Sequence, residues 1–169
     1  MGKINGYLET ERLIMREIEE QDAEFIVELR SKPEVYRYFI SPHKITVEEH
    51  MRWFQNSYVH NDERIDFIAV RKDDRQAIGV FGIKAGDEFK EEAEVSYILD
   101  SRYQGKGFAK EAVLELVKYA GIYWKSDTVT AVIHKDNLES IIFAKNAGFI
   151  YRGSDGVFET YYKRVEQVL

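Results

Sequence analysis

Near residue 100 a succession of strand-type runs gives way to a helical period, and that change limits the chain's possible folds more than any other feature. "IDFIAVR" (65–71), "QAIGVFGIK" (76–84) and "EAEVSYILD" (92–100) are three strand-type runs in succession. Their connections are short, the first being Lys72-Asp73-Asp74-Arg75, so antiparallel pairing in a meander is expected. After residue 107 the period lengthens. Phe108, Ala109, Ala112, Val113, Leu116, Val117 and Ala120 recur at steps of three and four, the broad apolar stripe of a helix. The next strand-type run is "TVTAVIH" (128–134), and a crossover helix between Asp100 and Thr128 favours parallel neighbours there.

The flanks fill in around this frame. "RLIMREI" (12–18) reads as a first strand, and "QDAEFIVELRS" (21–31) as a helix with Asp22 placed to cap it. "TVEEHMRWFQNSYVH" (46–60) opens with Thr46 and Glu49 at capping-box spacing and sets Val47, Met51, Phe54 and Tyr58 on one face. "NLESIIFAKNAGF" (137–149) is a helix begun by Asn137 and ended by Gly148, and "GVFETYYKRV" (156–165) is a closing strand. The expected fold is α/β of the α+β type, a mixed and mostly antiparallel sheet with helices on both faces. No linker-like stretch interrupts residues 1–169, so one domain is expected.

Composition excludes several function classes. The absence of cysteine removes disulfides and thiolate metal sites, and four scattered histidines lack ligand spacing, so no metal is expected. A net charge of −6 argues against a nucleic-acid partner. No window approaches the ~20 apolar residues of a membrane span, and Met1–Tyr7 has no leader character, so a cytoplasmic protein without membrane contact is expected. A mildly acidic surface tolerates a cationic amine, although acidity also serves solubility alone.

The stretch "YQGKGFAKEA" (103–112) opens the long helix with two glycines, both poor helix formers. A Walker-type loop needs Gly-Lys followed by Ser or Thr, and here Gly107 follows Lys106. A dinucleotide fingerprint needs a small residue where Lys110 stands. A bare strand-to-helix turn needs one glycine rather than two. A bulky anion, however, reaches the unpaired N–H groups of a helix N-terminus most closely where side chains are small. Lys106 and Lys110 add charge there, and a pyrophosphate fits the pattern.

Gln104-Gly105-Lys106-Gly107-Phe108-Ala109 resembles the Q/R-x-x-G-x-G/A signature of the GNAT superfamily of acyl-CoA N-acyltransferases. "LETERLIMRE…DA" (8–23), "AEVSYILDSRYQGKGFAKEAV" and "NLESIIFAKNAGF" are similar, in that order, to segments of its branch of Rim-type ribosomal-protein N-terminal acetyltransferases. The resemblance implies a sheet splayed around an acetyl-CoA cleft. The pyrophosphate would lie on the backbone of Gln104, Gly105, Lys106, Gly107, Phe108 and Ala109, with Lys110 and Arg102 near its charge. The pantetheine would pair along Tyr97, Ile98 and Leu99 and touch Asn137. Tyr36, Arg37, Tyr38 and Phe39 would form a wall of the acceptor cleft.

For the chemistry, the resemblance aligns Glu94 with a strand glutamate that acts as base through water; a surface glutamate beside Glu91 and Glu92 is the competing reading. Strand alternation sets Glu94 and Ser96 on one face and Ala93, Val95 and Tyr97 on the other. Many relatives carry a tyrosine that protonates the leaving thiolate, and Ala144 stands at that position. Ser140 is the substitute acid, against the alternatives of water and of a helix serine bonded to its own backbone. The implied acceptor is a protein or peptide N-terminus. A nucleotide-linked amino sugar competes, because "KPEVYRYFISPHKITVEEHMRWF" (32–54) is also similar to such enzymes. A polyamine, or a silent acyl-CoA-binding domain, also stays open. Relatives often dimerise through their last strands, which would involve Tyr161 and Tyr162.

Overall fold

The computed structural model describes residues 6–86 and 91–167. Eight strands form one sheet: β1 (Tyr7–Glu9), β2 (Leu13–Glu17), β3 (Arg64–Arg71), β4 (Ala77–Ala85), β5 (Glu92–Leu99), β6 (Thr128–His134), β7 (Ile150–Ser154) and β8 (Phe158–Arg164). Their spatial order is β1-β2-β3-β4-β5-β6-β8-β7. The expected meander β3–β4–β5 is antiparallel throughout, and β5 and β6 are parallel across the helical crossover. That parallel pairing covers only Glu92↔Thr128, Ala93↔Val129 and Glu94↔Thr130. After Glu94 the two strands part, and the sheet is splayed as expected.

Helices α1 (Ala23–Arg30), α2 (Pro33–Tyr36) and α3 (Val47–Trp53) precede β3; α4 (Phe108–Tyr123) is the crossover and α5 (Leu138–Asn146) follows β6. Strand alternation divides the interior in two. Phe67 and Ala69 of β3 join the main core with Phe81, Val95 and the α4 stripe, while Ile68 faces a smaller core of Ile18, Ile26, Phe54 and Tyr58. The helices α4 and α5 therefore cover one face of the sheet, and α1 and α3 the other. Among the described residues, no helix is long and apolar enough to cross a membrane.

Several local expectations need correction. Asp22 makes no side-chain cap on α1; its carboxylate accepts two 2.8 Å bonds from Arg16 and one from the Glu19 N–H. The Thr46–Glu49 capping box is present, but the buried face of that helix runs through His50, Phe54 and Tyr58, and Val47 is 40% exposed. The helix also widens into a π-helical turn at Phe54–Tyr58, which keeps both aromatics pointing inward. Strands β1 and β7 went unread, β1 because it has three residues and β7 because its residues are nearly all exposed and lack alternation. Tyr161 is 2% exposed and its hydroxyl donates to Glu159, so it belongs to the core rather than to a dimer face. Of the Met1–Tyr7 segment, only Gly6 and Tyr7 lie within the described residues.

Gly82 of β4 sits opposite both Asp66 and Ser96, and a Cβ there would overlap the Asp66 carboxylate. Asp66 is buried at 4% exposure and bonded to Arg64, so it has little room to yield. Gly82→Ala should therefore destabilise the fold by about 1–3 kcal/mol, which denaturant unfolding would measure. An unchanged midpoint would show that Asp66 moves freely.

Candidate active site

At the C-terminal end of β5 the chain must turn from strand to helix. The Asp100 carboxylate accepts the Arg102 N–H at 3.0 Å and grips the Arg102 guanidinium at 2.8 Å. The guanidinium holds this carboxyl below its usual range. Gly105 (φ +75°) and Gly107 (φ +82°) then adopt the left-handed conformation that other residues enter at a cost. Gly107 is the N-cap of α4 and supplies no side chain to the first N–H groups. Gln104, Gly105, Lys106, Gly107 and Lys110 are exposed, while Phe108 and Ala109 turn their side chains into the core and leave backbone toward the loop. A 16-residue helix thus presents an open, uncapped N-terminus.

A staple that the sequence analysis did not find holds this loop. Arg12 donates from Nη1 to the Lys106 carbonyl at 2.9 Å and from Nε to Glu111 at 2.7 Å, and its guanidinium lies 4.2 Å from the Phe108 ring centre. Glu111 also accepts from the Arg12 backbone N–H and the Thr10 hydroxyl. Burial opposes charge on Glu111, but these donors outweigh it and hold its carboxyl below the ordinary range. Arg12 and Glu111 are 99 residues apart, so no local pattern announces their pairing. Arg12→Ala should weaken coenzyme A binding about tenfold, roughly the worth of one charge-assisted bond, while turnover at saturating coenzyme holds. Unaltered affinity would mean that the loop needs no staple.

Tyr97 of β5 points to the α5 side, where its ring stacks on Phe81 at 5.5 Å and meets Phe143 at 4.8 Å. Burial pushes its phenol up to about 12, opposed by a hydrogen bond with Ser140. Ser140 sits in the first turn of α5, where its N–H donates to the Asn137 side chain at 3.3 Å. Asn137 therefore caps α5 as expected. Ala144 is 1% exposed, packed in the core.

On the opposite face, a cavity of about 200 Å³ lies between α1, α3 and strands β3–β5. Phe39 and Trp53 wall it, Ser96, Tyr97 and Ile98 line its β5 side, and Arg30, His50, Arg64 and Asp66 supply its polar groups. Arg64 binds Asp66 at 3.0 Å and lies over Trp53, while Arg30 lies over Phe39. Of the expected wall residues, Phe39 lines the cavity. Tyr38 packs on His134 of β6 at 5.5 Å and beneath Arg37, so segment 36–39 runs from the cavity to the far side of the splay. Tyr36 and Arg37 are outside the lining. Glu94 shares the face of Ser96 but also lies outside the lining, with Lys84 3.7 Å from its carboxylate. No sequence pattern singles out Arg30, Arg64 or Asp66, and His50 is one of four scattered histidines.

This arrangement of sheet, splay and loop matches known proteins. Residues 12–150 fit the family description "Acetyltransferase (GNAT) domain". The chain belongs to the GNAT acetyltransferase family. It is 30% identical over 148 residues to the uncharacterized N-acetyltransferase YoaA of Bacillus subtilis, covering 86% of this chain and 84% of that protein. Among solved structures, a spermidine N-acetyltransferase from Vibrio cholerae, in complex with CoA and spermine, superposes with a TM-score of 0.79 at 18% identity, covering 90% and 95% of the two chains. FdhC, described as a nucleotide-linked sugar GNAT, gives 0.80 at 23%, covering 95% and 91%. RimL, a ribosomal L7/L12 alpha-N-protein acetyltransferase in complex with coenzyme A, gives 0.78 at 16%, covering 94% and 98%. At these identities the structures speak for the fold, and the family membership makes this GNAT chain an acetyltransferase.

Proposed function

We propose that the protein transfers an acetyl group from acetyl-CoA directly to the primary amine of a small molecule, within one domain spanning residues 1–169. The observation that carries this reading is the cavity of about 200 Å³, bordered by Ser96, Tyr97 and Ile98, the stretch of β5 where pairing with β6 has ended. An acceptor held there lies across the strand from the coenzyme groove.

The residues present fit the coenzyme. A Cβ at Gly105 would meet nothing within 4 Å, and Gly107 makes no side-chain cap on the first N–H groups of α4. Gln104, Gly105, Lys106, Gly107 and the backbone of Phe108, Ala109 and Lys110 would hold the diphosphate. Tyr97, Ile98, Leu99 and Asn137 would hold the pantetheine. The bound thioester supplies an activated acetyl carbon and a thiolate leaving group. Glu94 takes the amine proton through water, and backbone N–H groups near the end of β5 meet the carbonyl oxygen as its charge grows. As C–N forms and C–S breaks, Ser140 would pass its hydroxyl proton to the departing sulfur and recover one from water.

A protein N-terminus, the acceptor implied by the Rim-type likeness, has less behind it. The matched proteins are named for spermidine and for a nucleotide-linked sugar as well as for a ribosomal protein, and the cavity suits a compact group better than a peptide. The cysteine-free sequence suits a cytoplasmic setting. Thiol release from acetyl-CoA should be measured with amino sugars, amino acids, spermidine and peptides. Turnover on a compact amine is expected. Coenzyme binding without turnover on any amine would leave an acyl-CoA-binding domain instead.

A further inference from the structure

The polar groups of the cavity are out of balance, and the imbalance describes what enters it. Its charged lining is Arg30, Arg64 and Asp66. Asp66 is bonded to Arg64, with Nη2 at 3.0 Å and Nε at 3.1 Å from one carboxylate oxygen. Arg30 has no such bond: its Nε is buried without a hydrogen-bond partner among the described residues. Among the described residues, the Phe39 ring is the group that meets its guanidinium, 5.2 Å away. His50 is 3% exposed, and neither ring nitrogen has a hydrogen-bond partner among the described residues. Its ring is set by Trp53 at 5.5 Å and Phe54 at 6.4 Å rather than by hydrogen bonds.

Unpartnered buried donors of this kind are rare, because each forfeits its hydration without return. Burial and the neighbouring Arg64 disfavour the charge on Arg30 and outweigh the attraction of Asp66, and burial with Arg30 lowers the His50 imidazole below its ordinary value. The lining thus holds one uncompensated positive charge and one imidazole N–H, both in a pocket walled by aromatic rings. Ser96 adds a hydroxyl on the floor.

We propose that the amine acceptor carries an anionic group, a carboxylate or a phosphate, that seats on Arg30 and His50 in this cavity. The proposal rests on the reading of the cavity as the acceptor site. The anion accepts from the Arg30 guanidinium and from one His50 N–H, and it neutralises the excess charge. The aromatic walls of Phe39 and Trp53 take the apolar face of the same molecule. The charge balance also ranks the acceptors: a second ammonium group at this depth meets Arg30 and Arg64, so a polyamine is the class that fits worst.

The test is a binding titration on the CoA-loaded protein with matched probes, glucosamine 6-phosphate against glucosamine and glycine against glycinamide, followed by acetyl transfer to each. One anionic probe should bind at least about tenfold more tightly than its neutral partner, the scale of one charge-assisted hydrogen bond. Which pair shows the preference tells phosphate from carboxylate. Arg30→Gln should abolish the preference and Arg30→Lys should restore part of it, with CoA affinity and melting temperature retained. Equal binding within both pairs, or tighter binding of spermidine than of any anionic probe, overturns the proposal in the unsubstituted protein, whatever the variants do. An Arg30-dependent preference without acetyl transfer to any probe upholds the anion site and overturns the acceptor reading instead.

Discussion

Gly107→Val is expected to weaken coenzyme A binding by about 100-fold or more, the largest loss any single substitution should cause. Three effects act together. Gly107 has φ +82°, a region that β-branched residues all but never occupy, and strain there is worth about 1–3 kcal/mol. A Cβ at this position would stand 3.3 Å from Nη2 of Arg12, so the added methyls push against the guanidinium that ties the loop to Glu111. The same methyls sit over the first N–H groups of α4, which a diphosphate needs bare. Two comparisons separate these effects. At Gly105 a Cβ meets nothing within 4 Å, so Gly105→Ala brings strain alone and a far smaller loss. Gly156 also has a positive φ, +98°, but lies in the β7–β8 turn rather than at the start of α4, so Gly156→Val should lower the melting temperature and cost coenzyme affinity far less. Calorimetric titration with coenzyme A reads all three. Unweakened binding by Gly107→Val would remove the diphosphate from this loop.

The contrast between the two ends of the site shows what a sequence can and cannot carry. The coenzyme end is written locally: Gln104 to Lys110 are consecutive, and their glycines, strand and helix are visible as period and composition. The meander and the parallel crossover follow from run lengths in the same way. The cavity proposed for the acceptor is assembled from Phe39, His50, Trp53, Arg64, Asp66 and Ser96, which sit on separate elements and share no period. His50 in particular lies in a face read as Val47, Met51, Phe54 and Tyr58; the π-helical turn and the rotation of α3 bury the imidazole and expose Val47. Arg30 ends α1 as many arginines do, favourably placed at a helix C-terminus. Only packing against the sheet reveals that its Nε is buried. The staple Arg12–Glu111 fails to show for the same reason, since long-range ion pairs leave no trace in spacing.

Glu94→Gln is the second large expected effect, a loss of about 100-fold in turnover at saturating coenzyme, the lower part of the range for a general base. Glu94 and Ser96 project from the same face of β5, one strand repeat apart, or about 7 Å. Ser96 borders the cavity, so a carboxylate at 94 reaches an acceptor amine there through one or two waters rather than directly. Lys84 stands 3.7 Å away on the paired strand and favours the charged carboxylate on this side of β5. Glutamine keeps the shape and most of the polarity, so coenzyme affinity should hold while the proton acceptor is lost. Glu92 provides the comparison: it lies on the same face two residues earlier, bound to Arg152 at 2.9 and 3.1 Å. Glu92→Gln should therefore leave turnover unchanged, with at most a small stability cost from freeing Arg152. If Glu94→Gln turned over at the parental rate, the base would have to come from the cavity lining itself. His50 would then be the group to replace next, since burial lowers its imidazole below the ordinary range and its ring nitrogens have no partner among the described residues.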